Sequence, residues 1–360
     1  MNKNLNDKKV IVGLSGGVDS SVTAMLLKEA GFQVAGVTMS IYDKNNPQSK
    51  TRKNACYGCD ESEDIREAEK ICQQIGIPFY EFDCAADYKK IVLAYFREEY
   101  LAGRTPNPCV KCNQLMKFGI LPKMAREKGI NFDYFATGHY ARIKEKNGFY
   151  SLQKAVDNTK DQTYFLYRLN QEQLKSTLFP LGNYKKAEVR KIAKEKCLEV
   201  FDKPDSQDFY SGDYSDLLQV KPMKGKIVLK NGQILGEHAG FWNFTLGQRK
   251  GLGVAYAEPL YVLELIPAKN EVVVGAEAET FAKGCIVYDL SFNLPEEFKN
   301  GEYQVKFRSS QNVVPAYLEL TNKEELKVTF REPQKAVALG QSLVIYDDDV
   351  VVGGGIICLK

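Results

Sequence analysis

From Lys8 to about residue 143, short apolar runs and helical patterns take turns: KKVIVGLS at 8–15, SSVTAMLLKEAG at 20–31, FQVAGVTMSIY at 32–42, a long helical stretch, PFYEFDC at 78–84 and FDYFATGHYARI at 132–143. Apolar runs separated by helices predict parallel pairing, because each crossover returns the chain to the same end of the sheet. The first part is therefore expected to be an α/β domain, a parallel sheet covered by helices. Its helix from about Asp60 to Gln74 shows the logic. Asp60 and Glu63 stand as a capping box, Ile65, Ala68, Cys72 and Ile75 form one apolar stripe, and Gly76 is the stop. That spacing puts Cys72 in the core.

Beyond about Asp205 the helical patterns end, and GKIVLKNGQILGEH, YVLELIPAKNEVVVG, EYQVKFRSS, KVTFREP and SLVIYDDDVVVGGGIICLK read as strands and turns. Lys230-Asn231-Gly232-Gln233 is a hairpin signal, since Asn-Gly accepts the positive φ that tight hairpin turns need. A change of character near Glu277 to Cys285 suggests two β domains. The expected division is 1–205 for an ATP-binding catalytic domain, 206–280 for a small, mainly β central domain and 281–360 for a C-terminal β-barrel. A chain of 360 residues has room for that many cores.

The formal net charge of +3 is too small to argue for nucleic-acid binding. Nine cysteines, an odd number scattered over a long chain, argue for reduced thiols with chemical or metal-binding duty, not for a disulfide framework. MNKNLNDKKV runs straight into VIVGL without a signal-type apolar region, and no later span is long enough to cross a bilayer. The expected setting is the cytoplasm, with no membrane partner.

Ser15-Gly16-Gly17-Val18-Asp19-Ser20-Ser21 follows the apolar run Val10–Val12 and opens a helix. Its N–H groups and helix dipole converge where a phosphate can sit. The paired glycines let backbone approach a ligand, the hydroxyls add donors, and Asp19 is placed to hold the Mg²⁺ of a nucleotide. Both the G-K-[ST] ending of a Walker A loop and the G-x-G-x-x-G spacing of a dinucleotide fold are missing. The run resembles the PP-loop of ATP pyrophosphatases, which cleave ATP between its α and β phosphates.

Further motifs follow in order: GRTPNPCVKCN at 103–113, ATGHYAR at 136–142, KDQTYFL at 160–166, KPDSQ at 203–207, GEHAGFWNFTLGQRKGLG at 236–253 and LGQSLVIY at 339–346. Together they resemble the tRNA-specific 2-thiouridylases. The resemblance implies that Gly13, Leu14, Ser15, Gly16, Gly17, Val18, Asp19 and Ser20 cradle ATP, with Met39 near the adenine and Gly138 close to the nucleotide. It implies that Asn107, Pro108 and Cys109 receive the target base, and that His139, Lys160, Asp161, Gln162, Arg308 and Gln341 touch tRNA at its anticodon loop. His238 reads as structural. The implied chemistry is attack of the wobble uridine O2 on the α-phosphate of ATP, then attack of a sulfur nucleophile at C2 with loss of AMP. Asp19, Cys109 and Cys112 are the implied catalytic residues.

The familiar family members carry a second working cysteine five residues after the Asp of the KPDS motif. Here that position is Tyr210, and the run Asp205–Gly212 contains no cysteine. The chain has instead Cys109-x-x-Cys112 and a second pair, Cys56-x-x-Cys59. Two such pairs suit an iron–sulfur cluster or Zn²⁺, or remain free thiols with Cys112 as an ordinary nucleophile. A [4Fe-4S] cluster on Cys109, Cys112 and Cys56, with Cys59 optional, ranks above Zn²⁺, because some related thiolases hold such a cluster and bind sulfide at its free iron. Cys197 reads as packing. A sulfur-donor protein or inorganic sulfide is the implied partner. Two rival functions remain on the same fold: a non-catalytic iron–sulfur or nucleotide sensor, and a PP-loop synthetase with a nitrogen nucleophile.

Overall fold

The computed structural model describes residues 5–42, 55–58, 60–205, 209–210, 212, 214–293, 298–322 and 324–358. Cys59 and Ser206–Asp208 lie outside the described residues. The chain forms two compact units: Met1–Val92 with Cys109–Gly212 and Asp349–Val351, and Leu93–Pro108 with Asp213–Asp348 and Val352–Lys360.

The first unit is built on a five-stranded parallel sheet, as the alternation predicts. Its strands β1 (Lys9–Gly13), β2 (Gln33–Ser40), β3 (Phe79–Asp83) and β4 (Tyr134–Thr137) stand in the order β3-β2-β1-β4, and Thr177–Leu178 adds the fifth strand beside β4. The chain winds outward from β1 to β3, then returns to the other side of β1 as β4. That reversal leaves a crevice beyond the carboxyl ends of β1 and β4, where Gly13 pairs with Thr137. The loops leaving those two strands begin at Leu14 and Gly138.

Helix α1 (Val18–Glu29) follows β1, and helix α2 (Glu61–Ile75) covers β2. Val12, Val22, Ala24, Ile71 and Cys72 are at most 1 % exposed, so Cys72 is core as its spacing requires. Close packing here depends on a missing side chain: a Cβ on Gly36 would stand 2.4 Å from the Cys72 sulfur. Gly76 ends α2 in the left-handed region at φ 62°. The expected capping box does not form. Asp60 is already helical, at φ −86° and ψ 0°, and its backbone carbonyl accepts from the Glu63 N–H in place of the side chain.

In the second unit, Gly225–Leu229, Ile234–His238, Tyr261–Ile266 and Glu271–Gly275 make a four-stranded sheet. The Asn-Gly signal turns the first two strands into a hairpin: Gly232 takes φ 86°, Leu229 N–H donates to the Gln233 carbonyl, and Asn231 Oδ1 accepts from Gln233 N–H. Six further strands run from Phe281 to Cys358, and the first closes on the last with Val287 opposite Ile357. Val287, Val305, Leu318, Leu326, Leu343, Ile345 and Ile357 fill this barrel at 0 % exposure. One helix departs from the sequence reading, Tyr214–Leu218, whose five residues are too few to show a period. Its Tyr214 meets Phe96, on the helix Ala94–Leu101, edge-on at 5.3 Å. No helix among the described residues is long and apolar enough to cross a membrane.

Candidate active site

At the β1 end of the crevice the loop is tied to its own helix. Ser15 N–H donates to Ser20 Oγ at 3.2 Å, and the Ser20 and Ser21 hydroxyls donate to the Gly17 carbonyl at 3.2 and 2.8 Å. Gly16 sits at φ 67°, where a Cβ would meet the Asp64 carbonyl oxygen at 2.4 Å. Among the described residues, none accepts a hydrogen bond from the backbone N–H groups of Gly16, Gly17, Val18, Asp19 or Ser20. Five successive donors at the start of a helix form an anion cradle, and ATP phosphates fit it. Gly138 closes over them, since its absent Cβ would lie 2.8 Å from Asp19 C and Ser20 N. Gly138→Ala is expected to weaken ATP binding by about tenfold or more, because backbone cannot step aside as a side chain can. Calorimetry with an ATP analogue checks this. Met39, expected near the adenine, is half-buried at the end of β2.

Asp19 is not a free carboxylate. Lys186 Nζ donates to both of its oxygens, at 2.8 and 2.7 Å, and Tyr140 OH donates to Oδ1 at 2.9 Å. The same ammonium reaches Asp205 at 2.7 Å, while Lys160 holds the other Asp205 oxygen at 2.9 Å. Burial raises the Asp205 pKa, but Lys186 and Lys160 outweigh it, and the carboxyl titrates below its ordinary range. A Mg²⁺ ion at Asp19 would have to displace Lys186, whose ammonium has Asp205 as its second partner.

Asp161 accepts from Ala155 N–H at 3.0 Å and from the Thr163 hydroxyl at 2.6 Å. Gln162 Oε1 accepts from Tyr140 N–H at 2.8 Å and so shapes the loop after β4. His139, half-buried, pairs its Nδ1 with Thr137 Oγ1 at 2.8 Å, and burial, aided by Lys117, holds its pKa well below the ordinary value. Its imidazole is neutral at pH 7. In the second unit, Gln341 Nε2 donates to the Thr105 and Pro106 carbonyls at 3.3 and 3.4 Å, beside Asn107 and Pro108. Arg308 donates to the Ala336 carbonyl at 2.9 Å. His238 is structural as read, buried with Nδ1 accepting from Gly240 N–H at 3.0 Å.

The thiols lie on a helix that changes pitch. Pro108–Lys111 is α-helical, Cys112–Ile120 is π-helical, and Leu121–Glu127 is α-helical again. A π turn aligns residues five apart, which sets Lys117 one turn from Cys112. Burial disfavours the Lys117 ammonium, but Cys112, Cys56 and Cys109 together raise its pKa. The same three thiols act on the buried Tyr88. Cys56 therefore lies within electrostatic reach of the same two side chains as Cys109 and Cys112. Among the described residues, no three His, Cys, Asp or Glu side chains are arranged to hold a metal ion.

Burial pushes the Cys112 thiol up to about 11, with Lys117 opposing the shift. At neutral pH it is a protonated thiol. In iron-free protein, alkylation of Cys112 followed by peptide mass is expected to accelerate as pH rises toward 11, and Lys117→Met to slow it at any given pH. A rate already maximal at pH 7 contradicts this.

A family model described as the tRNA methyl transferase HUP domain matches residues 8–210, one described as the tRNA methyl transferase PRC-barrel domain matches 216–276, and one described as the aminomethyltransferase beta-barrel domain matches 282–357. The tRNA-specific 2-thiouridylase MnmA of Endomicrobium trichonymphae is 48% identical over 358 residues, covering 98% of this chain and 99% of that one. The chain belongs to the MnmA family. The MnmA of Carboxydothermus hydrogenoformans is 44% identical over 365 residues, with 97% of each chain covered. Among solved structures, a 4-thiouridine synthetase–RNA complex with bound ATP is similar at 18% identity and a TM-score of 0.37, over 59% of this chain and 46% of that one.

Tyr210, which stands where familiar MnmA members have their second cysteine, is buried against Tyr57 with ring centroids 6.4 Å apart. Tyr57 N–H also donates to the Phe209 carbonyl at 3.0 Å, so Phe209 and Tyr210 lie against Tyr57, next to Cys56 in the chain. Cys197 corrects the packing expectation. It is exposed at φ 53°, just past the helix Lys186–Glu195, where the chain reverses. Lys186, Tyr140 and Lys117 were not singled out by the sequence. Lys186 left one signal: Lys185 and Lys186 open a helix, the end where a macrodipole disfavours cations unless a carboxylate faces them.

Proposed function

We propose that this chain is a tRNA-uridine 2-sulfurtransferase that thiolates the wobble uridine in the cytoplasm, consuming ATP. The row of N–H groups from Gly16 to Ser20 that find no acceptor among the described residues, in a chain whose relatives are named for 2-thiouridylation, carries the reading. ATP phosphates lie on Gly13–Ser20 under Gly138, Met39 borders the adenine, and Asp19 serves the Mg²⁺. Uridine O2 attacks the α-phosphate, pyrophosphate leaves, and sulfur displaces AMP at C2. The N–H cradle and Lys186 stabilise the charge that develops in the first step.

Asn107, Pro108 and Cys109 receive the unstacked base, and His139, Lys160, Asp161, Gln162, Arg308 and Gln341 form the tRNA-recognising set, several of them through the loops they hold. In a first reading of the sulfur step, a persulfide of a sulfur-donor protein passes its outer sulfur to Cys112, that sulfur displaces AMP at C2, and the Cys109 thiol attacks the Cys112 sulfur, leaving 2-thiouridine and a Cys109–Cys112 disulfide that an external thiol reduces. The division 1–205, 206–280 and 281–360 assigns activation to the first segment and shares the tRNA-recognising residues between it and the last, which carries Arg308 and Gln341.

A second reading of the sulfur step, favoured by the shared influence of Cys56, Cys109 and Cys112 on Lys117 and Tyr88, has these three cysteines hold a [4Fe-4S] cluster with its fourth iron open and Cys59 optional, Zn²⁺ being the lesser candidate. The cluster would supply an iron site for sulfide. Anaerobic iron and sulfide analysis separates the two readings: colourless, iron-free protein that thiolates tRNA removes the cluster. The function itself is tested by mass spectrometry of tRNA nucleosides from a strain lacking the gene. Loss of 2-thiouridine derivatives, restored by this chain, supports it; unchanged levels sink it.

A further inference from the structure

Lys203 lies 187 positions after Gly16 in sequence, yet its ammonium donates to the Gly16 carbonyl at 3.1 Å. The same Nζ bonds Asp64 at 2.6 Å and Glu67, two carboxylates three residues apart on one face of α2. Arg190 in turn fixes the backbone around Lys203, donating to the Phe201 and Lys203 carbonyls at 3.3 and 3.4 Å. All four side chains are partly or half-buried.

A trans peptide is planar, and its C=O and N–H point in opposite directions. Tethering the Gly16 oxygen to Lys203 therefore turns the Gly17 N–H the other way. That N–H is the second of the five cradle donors without an acceptor among the described residues. Gly16, at φ 67° and with no Cβ, has a backbone that no side chain of its own restrains, so an outside anchor has something to fix there. We propose that Lys203, held by Asp64 and Glu67, is the positioning residue of the nucleotide loop, setting the Gly16–Gly17 peptide so that its N–H faces the ATP phosphates.

The two carboxylates decide against a simpler role. A lysine that served only to attract phosphate would lose that charge to Asp64 and Glu67, whereas a tether needs them as its anchors. Charge and position therefore predict opposite signs for Glu67→Gln. Relief of negative charge would tighten nucleotide binding, and a slackened tether weakens it. The inference rests on the nucleotide-binding reading of the loop.

The test is calorimetric titration of the full chain with a non-hydrolysable ATP analogue. Lys203→Met is expected to raise the Kd by about tenfold or more, Glu67→Gln by a few-fold, and Lys203→Arg to recover most of the loss because it keeps charge and donors. In the thiolation assay, KM for ATP rises while kcat at saturating ATP changes little. Where Lys203→Met fails to fold on thermal melting, Glu67→Gln and Lys203→Arg decide the question. Unchanged Kd in Lys203→Met, or tighter binding in Glu67→Gln, overturns the positioning role. Wild-type protein that does not bind the analogue overturns the nucleotide-binding reading instead.

Discussion

Cys112→Ala is expected to reduce tRNA thiolation by roughly a thousandfold or more while ATP-analogue binding stays within about twofold of wild type. The separation follows from where the groups sit. The phosphate cradle belongs to the loop after β1, whereas Cys112 opens a π-helical stretch and faces Lys117, with Cys56 and Cys109 acting on the same ammonium. Nothing in the Ser15–Ser21 hydrogen bonds involves that helix. A variant that still thiolates at the wild-type rate would move the sulfur step to another thiol, and Cys56 would be the first to substitute.

Lys186→Met is expected to damage activation and stability together. The lysine is nine-tenths buried and bridges Asp19 and Asp205, so a neutral side chain leaves two carboxylates facing one another without their shared cation. Breaking a buried pair by removing one partner costs about 3–5 kcal/mol. The partly solvated carboxylates here argue for the lower end, a fall in melting temperature on the order of 10 °C. A pH signature accompanies it. Because the Asp205 pKa is lowered in the folded state, its contribution is fully present above an unfolded carboxyl value of about 3.9 and is lost as pH falls through the folded value. Wild type and variant should therefore converge in melting temperature at acid pH. An equal difference at pH 3 and pH 7 would contradict the pairing.

The architecture was legible where a period repeats. Alternating apolar runs announced the parallel sheet, and Asn231-Gly232 announced its hairpin, because these signals are local. The nucleotide loop was equally legible, since its glycines and helix start are contiguous. What the sequence hid was convergence over distance. Lys186 and Lys203 reach residues more than 150 positions away, and no local pattern marks a lysine as a tether. The π-helix at Cys112–Ile120 was hidden for another reason: a register of five residues is set by tertiary packing and has no composition of its own. The capping box at Asp60 misread a real preference, because a carbonyl can take the N–H that the side chain was expected to cap.

The most direct test of ATP-dependent uridine activation is product stoichiometry in a reaction of purified protein, tRNA, a sulfur donor and ATP. The account predicts AMP and pyrophosphate, one of each for every 2-thiouridine formed, and no turnover of ATP to ADP. Thiolation accompanied by ADP and phosphate, or thiolation without ATP, would contradict it.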